Sequence, residues 1–483
     1  MTGTSTPDTD DLAAVAAELG FDLPQDALDA SRDAASQLAD TAAAVRERER
    51  ESTPATETPP QDGQLDDEYG TLLYGYETPR QRDTDGRLDG YRVAVKDNIA
   101  AAGLTMTCGS EGFEHTPEFD AAVVGRLLDA GAQLVGKANM DAFAFGPSGE
   151  FSGQTPVTNP LDEDRIPGGS SSGSGAAVAA GTVDVALGTD TGGSVRIPAA
   201  CCGVVGVKPS FGAVPTHGVV PFAPSLDTVG PLARDVDTAA DALTAIQGPD
   251  PRDATTTPTS IVELPDTPTV GIPDSFLEAC TPPVVDAIDE LRDSLSTDFD
   301  VRRVEVPFGA IEEAYSLVGA TEFAWYVRQH GTIRGIGATY DSDWADALHE
   351  FITEQGFSDH VAKRVLPAAT LDAHENGQPY VAGRREARTF DQHLEAAFAD
   401  VDLLVTPTLR ALPHERGRIG ADDSMYDLLG NTAPFNLTGH PAVTLPIAER
   451  DGLPVSAQVI APRFADAAAI AGAKQIETSV NTT

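Results

Sequence analysis

The sequence predicts an α/β fold with a separate helical segment at its N-terminus. Two observations carry this. From about residue 87, short apolar stretches with strand character alternate with helical ones, the pattern of a sheet covered by helices. Residues 1–47, in contrast, show only helical spacing. The chain has 483 residues, 41% of them hydrophobic, so it can bury a large core.

In the N-terminal segment Leu12, Val15, Ala16 and Leu19 keep helical spacing up to Gly20. Pro24 opens a second helix carrying Ala27, Leu28, Ala35, Leu38, Ala42 and Val45. Two short amphipathic helices cannot bury their apolar faces alone, so they are expected to pack on the main body or on a second copy. Residues 48–67 are charged and rich in Pro and Thr, which reads as a linker. The expected division is residues 1–67 as helical extension and linker and 68–475 as the main domain, with 236–400 a mostly helical insertion.

In the main domain, Tyr91–Val95 alternates as a strand and runs directly into Lys96-Asp97-Asn98. A helix over Ala121–Ala130 closes at Gly131, and Leu134-Val135 is a strand. Two Gly/Ser clusters follow, Gly168–Gly173 and Thr191–Ser194, separated by a helix at Ala176–Ala180 and a strand at Val183–Leu187. Val270-Gly271-Ile272 is a strand and Pro283–Leu295 a helix. Residues 308–400 are mostly helical, with Phe323, Trp325 and Tyr326 among them. Strand texture returns at Val401–Pro407. Ala442–Ile447 and Val455–Ile460 pair as a hairpin about Asp451-Gly452.

Charge excludes some functions. Seventy-five acidic residues against 32 basic ones give a net charge of −43, and only five residues are lysines. Such an excess suits a protein adapted to molar salt, where screening acts within about 3 Å. It opposes nonspecific nucleic-acid binding, which needs basic patches. The four cysteines show no CxxC spacing, and no HExxH or HxH occurs, so neither a zinc site nor any other metal or cofactor is expected. The N-terminus has no charged-then-apolar leader, and no apolar run approaches ~20 residues. The expectation is a cytoplasmic protein with no membrane partner.

Two motifs are decoys. Gly169–Gly173 fits the G-x-S-x-G nucleophile elbow, but loop precedes it where that elbow needs a strand. Gly131–Lys137 nearly matches a phosphate loop, but Ala138 stands where a hydroxyl is required. His217 and His440 sit in small-residue loops, where a hydrogen-bonded structural role outweighs a pocket role. The stronger chemistry is Ser with Lys. A serine hydroxyl needs a base, and a neutral lysine can serve as one. Lys96 directly follows the strand Tyr91–Val95 in a chain that has mostly discarded lysine.

Taken together, VAVKDNI (93–99), GAQLVGKANM (131–140), PGGSSSGSGAAVAAG (167–181), ALGTDTGGSVRIPAACCGVVGVKPSFG (186–212) and SLDTVGPLARDV (225–236) resemble the amidase signature family. NTAPFNLTGHPAVTLP (431–446) and GLPVSAQVI (452–460) extend the likeness. The resemblance implies a large twisted mixed sheet with helices on both faces. It implies a Ser–Ser–Lys triad: Ser194 as nucleophile, Ser170 after a cis peptide bond as the relay, and Lys96 as base. The backbone N–H groups of Thr191, Gly192, Gly193 and Ser194 match the oxyanion hole. Asp190 and Arg196 flank that loop and are expected to pair. Phe143, Phe145, Gly146 and Asn431 match positions facing the acyl group.

Within the family, the glutaminase subunit of the tRNA-dependent amidotransferases, acting on Glu-tRNA(Gln) or Asp-tRNA(Asn), carries an acidic residue for the glutamine ammonium. The corresponding position here is Leu429, seven before Asn436, with Asp427 two positions away. That difference, NTAPFNLTGHP and the N-terminal extension favour a free-standing amidase converting RCONH2 to RCOO⁻ and ammonia. Its partners would be a small-molecule amide and a second copy joined through the N-terminal helices, with no nucleic acid. The rival readings are the glutaminase of the amidotransferase and an inactive binding member.

Overall fold

A computed structural model describes residues 8–52, 63–82, 85–259, 264–295, 299–332, 342–418 and 425–481. Residues 53–62 of the expected linker and 333–341 of the expected helical insertion lie outside the described residues. The chain divides into two compact units, Met1–Glu57 and Thr58–Thr483.

The first unit holds helices Thr9–Glu18 and Gln25–Ser52. Asp8 caps the first, accepting from the Asp10 and Asp11 amides, and Asp11 reaches back to the Asp8 amide. Val15, Leu19, Phe21, Leu23, Leu38 and Val45 remain exposed. The second helix runs on through Ser52, beyond the boundary its apolar spacing marked. Arg46–Ser52 carries no apolar residue, but Arg and Glu are good helix formers and extend it.

In the second unit, eleven strands of the described residues form one mixed sheet. They are β1 (Leu72–Arg80), β2 (Arg92–Lys96), β3 (Gln133–Ala138), β4 (Val185–Asp190), β5 (Val205–Lys208), β6 (Thr228–Ala233), β7 (Thr269–Gly271), β8 (Asp300–Arg302), β9 (Leu403–Pro407), β10 (Ala442–Arg450) and β11 (Leu453–Ile460). Their spatial order is β1-β3-β2-β4-β6-β5-β10-β11-β9-β7-β8. β2 runs parallel to both β3 and β4, so the carboxyl ends of three neighbouring strands open on one edge. From β4 to β9 the pairs are antiparallel. The β10–β11 turn has positive φ at both Asp451 and Gly452, the two-residue turn that the Asp-Gly pair favours.

Both faces of the sheet are covered. Val93 and Val95 belong to a core cluster that also takes in residues of helices 236–246, 282–295 and 466–481. Ala94, between them, points to the other face with Ala177 and Val178 of helix 172–180 and Ala199. The central strands β4, β6 and β9 are buried along their whole lengths. β6 does not read as a strand in the sequence, and Pro231 explains why. Proline normally argues against a central strand, yet here it pairs with Leu187.

Beyond β8, helices Ile311–Arg328, Ser342–Glu354, Asp359–His374 and Gln378–Phe398 form a layer around an aromatic cluster that includes Phe113, Phe143, Phe323, Trp344 and Phe351. Among the described residues, no helix is long and apolar enough to cross a membrane.

Candidate active site

Lys96 ends β2 with its side chain wholly buried. Its Nζ donates to Ser170 Oγ at 2.8 Å and to Thr189 Oγ1 at 2.8 Å. Burial drives its pKa down to about 7, against the pull of Asp141, Asp190, Asp227 and Cys108. Near neutral pH the amine is therefore substantially uncharged. Asn98 Nδ2 donates to the Val220 carbonyl at 3.0 Å and fixes the turn after the strand.

Ser170 stands just before helix Ser172–Ala180, and the Gly169–Ser170 peptide is cis. The segment is pinned by Gly168 and Gly169 amides donating to the Ser148 and Pro147 carbonyls, at 3.0 and 2.8 Å. Gly169 must be glycine, because a Cβ there would collide with Asp141 Oδ2. Asp141 accepts from the Gly149 and Phe151 amides, and its own amide donates to the Ser170 carbonyl at 3.1 Å. Burial pushes its carboxyl up to about 7. Ser171, the centre of the elbow-like motif, is committed to β4: its Oγ accepts from the Thr189 amide and donates to the Thr189 carbonyl.

The segment 191–194 leaves β4 and enters helix Arg196–Cys202. No described acceptor takes the N–H groups of Thr191, Gly192, Gly193 or Ser194, whereas those of Val195 and Arg196 go to Asp190 Oδ2. Four donors on one turn are thus left available to an anion. The turn is rigidly framed. A Cβ at Gly192 would strike Tyr315 Oη, and one at Gly193, whose φ is 135°, would strike Thr432 Oγ1. Thr432 Oγ1 donates to the Gly192 carbonyl at 2.6 Å. The Ser171 amide donates to the Ser194 carbonyl at 3.3 Å, tying the two serine-bearing segments together.

Beneath the turn, Asp190 and Arg196 form a buried pair with Nη2–Oδ1 at 3.0 Å. Burial alone would raise the Asp190 carboxyl, but Arg196 and further partners outweigh it and hold it at about 2. Asn436 bonds both partners, and Arg196 Nη1 reaches Gln458 Oε1 at 2.9 Å. Every polar atom of this pair's shell belongs to structure, consistent with a scaffold rather than a reacting group.

Ser194 lines a cavity of about 350 Å³. Phe145 and Gly146 are on its wall, with Phe222, Tyr315, Leu429 and Arg364. Phe143 instead packs in the aromatic cluster, stacked on Phe351. Asn431 is buried behind the wall, its Oδ1 accepting from Arg410 Nε and its Nδ2 donating to the Pro407 carbonyl. Neither Phe143 nor Asn431 lines the cavity. Sequence reasoning missed Thr189, Tyr315 and Arg364. Thr189 stood inside a matched segment, but Tyr315 and Arg364 lie on helices whose residues carry no motif. Among the described residues, Arg364 is the one charged side chain on the wall.

The other candidates are structural. Lys137 Nζ donates to the Ile99 carbonyl beside Asp97 and is wholly buried, so it cradles no phosphate. His440 is stacked on Phe398 with Nδ1 beside Thr438 Oγ1, and burial lowers its pKa to about 3. His217 packs on Phe119. All four cysteines are free thiols.

The family model described as Amidase matches residues 75–470. The chain belongs to the amidase family. Among its relatives, the Glutamyl-tRNA(Gln) amidotransferase A-subunit of Halobacterium salinarum is 39% identical over 418 residues, 83% of this chain and 98% of the relative. That of Natronomonas pharaonis is 40% identical, over 80% of this chain and 95% of the relative. Among solved structures of amidase-family enzymes, the same subunit from Thermotoga maritima superposes with a TM-score of 0.71 at 33% identity, covering 84% of this chain and 87% of that one. A peptide amidase in complex with the inhibitor chymostatin gives 0.67 at 29% identity, covering 82% and 84%.

These likenesses overturn two expectations. The free-standing amidase is displaced, because the curated relatives matched over nearly their whole length are amidotransferase subunits. The expected partner set falls with it: relatives named as subunits of a tRNA-dependent enzyme conflict with a small-molecule amide as the sole partner substrate and with the exclusion of nucleic acid. The physical reason is plain in both cases. The first expectation rested on Leu429, the segment NTAPFNLTGHP and the N-terminal extension, all short or appended, against 39% identity over 418 residues. The second rested on net charge, which weakens direct nonspecific binding but says nothing of a tRNA held by another subunit.

Proposed function

We propose that this chain is the amide-cleaving subunit of a tRNA-dependent amidotransferase, releasing ammonia from a donor amide for transfer to glutamyl-tRNA(Gln). The observation that carries the chemistry is the 2.8 Å hydrogen bond from Lys96 to Ser170. The similarity to the amidotransferase subunits of Halobacterium salinarum and Natronomonas pharaonis, over 98% and 95% of their lengths, supports the assembly.

The proposed steps use this chain's own residues. Neutral Lys96 takes the Ser170 proton while Ser170 takes that of Ser194. Ser194 Oγ attacks the amide carbon, and the oxygen becomes an oxyanion received by the free N–H groups of 191–194. Each such donor is typically worth about 3 kcal/mol to the transition state. The proton returns through Ser170 to the leaving nitrogen, and ammonia departs. Water then cleaves the acyl-enzyme, restoring Ser194 and giving the carboxylate.

Arg364 suits a donor carrying a carboxylate, and glutamine is such an amide. Leu429 offers no charge to glutamine's ammonium. Besides Ser194, the hydroxyl-bearing wall residues among the described ones are Tyr315, Ser316 and Thr321, which can accept from it. A tRNA-dependent role is cytoplasmic, and the charge of −43 suits molar salt.

Ammonia release from glutamine in molar KCl tests this reading, with the chain alone and with the other subunits of its amidotransferase. Release should rise when the subunits are present and vanish in Ser194→Ala. Equal release with and without them would count against a subunit role.

A further inference from the structure

The segment 220–227 takes no part in the proton path, yet it is bonded on two sides. Asp227 Oδ1 accepts from Thr191 Oγ1 at 2.6 Å. Its carboxylate also accepts from the Phe222 amide at 2.9 Å and the Ala223 amide at 3.1 Å. Two residues earlier, Ser225 donates to Glu322 from its amide at 2.9 Å and from Oγ at 2.5 Å. Arg384 donates to Ser225 Oγ at 3.0 Å and Tyr380 to Glu322 at 2.8 Å. One short segment therefore joins the start of the 191–194 turn to helices 311–328 and 378–398.

Thr191 is the first of the four residues with free N–H groups, and its hydroxyl is one of the points at which the turn is held from outside, beside the Thr432 contact to the Gly192 carbonyl. Phe222 lines the cavity. A carboxylate suits this place because it accepts from three donors at once, which neither a hydroxyl nor a single amide oxygen does as well. Asp227 and Thr191 are both buried, so water is a poor substitute for either partner.

We propose that Asp227 is a positioning residue for amide cleavage: it holds the Thr191 hydroxyl so that the 191–194 N–H groups face the developing oxyanion in register with the Phe222 wall. This rests on the reading of Ser194 as nucleophile.

The test uses the full chain with its partner subunits in molar KCl and three variants, Thr191→Val, Thr191→Ser and Asp227→Ala. Thr191→Val removes the hydroxyl with little change of shape. Its kcat should fall about 10–100-fold with KM changed less than threefold, the signature of an interaction made in the transition state. Thr191→Ser should recover most of that loss. The double variant Thr191→Val/Asp227→Ala should be little worse than the poorer single one, because the two groups act as a unit. A kcat within threefold of wild type in Thr191→Val, or strictly additive losses, overturns the proposal.

A second readout does not depend on turnover. The Ser171 and Ile197 amides donate to the Ser194 and Gly193 carbonyls, so their hydrogen exchange reports the turn without touching Asp227. Exchange at both should quicken at least tenfold in Thr191→Val. If wild type cleaves no amide, the proposed function fails, and exchange still decides the role of Asp227. Unchanged exchange at both amides sinks it even then.

Discussion

Lys96 Nζ lies 2.8 Å from Ser170 Oγ, with the amine wholly buried at the end of a central strand. Burial, not the contact, sets the protonation state on which the site depends. A lysine in water keeps its proton at neutral pH; this one holds it only below about 7.

Amide cleavage should accordingly rise with pH, about tenfold per unit below 7, and level off above it. The sign follows from the base: only the neutral amine accepts a proton. Lys96→Arg, charged at every accessible pH, should lose at least about 10³-fold in kcat. A rate independent of pH from 5 to 8 would remove Lys96 from the role of base. The same shift affects stability. Between about 7 and 10.5 the unfolded chain binds the extra proton, so the penalty this buried group places on folding is relieved as pH rises through that window.

Arg196→Met should destabilise the fold by about 3–5 kcal/mol, since it leaves the Asp190 carboxylate buried without its cation. Because Asp190 is held at about 2, below its ordinary 3.8, its contribution is present above 3.8 and is lost as pH falls towards 2. Denaturant unfolding in molar KCl measures both effects. A loss under 1 kcal/mol would mean that the pair is not a structural anchor.

Arg364→Met should raise KM for glutamine about 10–100-fold while leaving kcat within a few fold, the effect of deleting one charge-assisted contact worth about 1.5–3 kcal/mol. An amide of similar length without a carboxylate should show no such change. Equal effects on the two donors would place Arg364 outside donor recognition.

Stability should also climb with salt. Raising KCl from about 0.2 to 2 M shortens the screening length several-fold and relieves self-repulsion at a net charge of −43. The thermal midpoint should rise monotonically; an unchanged midpoint would refute the reading of the acidic excess as salt adaptation.

The sequence was most legible where local chemistry and motif coincide. Lys96 directly followed an alternating strand, and the Gly/Ser clusters marked turns where backbone must come close, as the collision at Gly169 bears out. The strand β6 was not legible, because Pro231 and Gly230 break the pattern that a buried strand normally shows. The cavity wall was only half legible. Phe145 and Gly146 flank a motif, but Tyr315 and Arg364 reach the cavity from helices far along the chain, and helical periodicity cannot say which residue faces a pocket. Phe143 is a large apolar residue two positions from Phe145, yet φ of 48° at Phe143 and 62° at Ala144 turns the chain and sends its ring into the aromatic cluster. Leu429 does line the cavity, but one wall residue could not decide between family members.

If this site supplies ammonia to a tRNA-bound acceptor, transamidation itself reports it. Glutamyl-tRNA(Gln), glutamine labelled with ¹⁵N in its amide and the partner subunits are combined with this chain in molar KCl. The account predicts ¹⁵N-labelled glutaminyl-tRNA(Gln) that depends on this chain and disappears with Ser194→Ala. Formation of the same product with Ser194→Ala, or none with the wild-type chain while it still frees ammonia from glutamine at full rate alone, would contradict it.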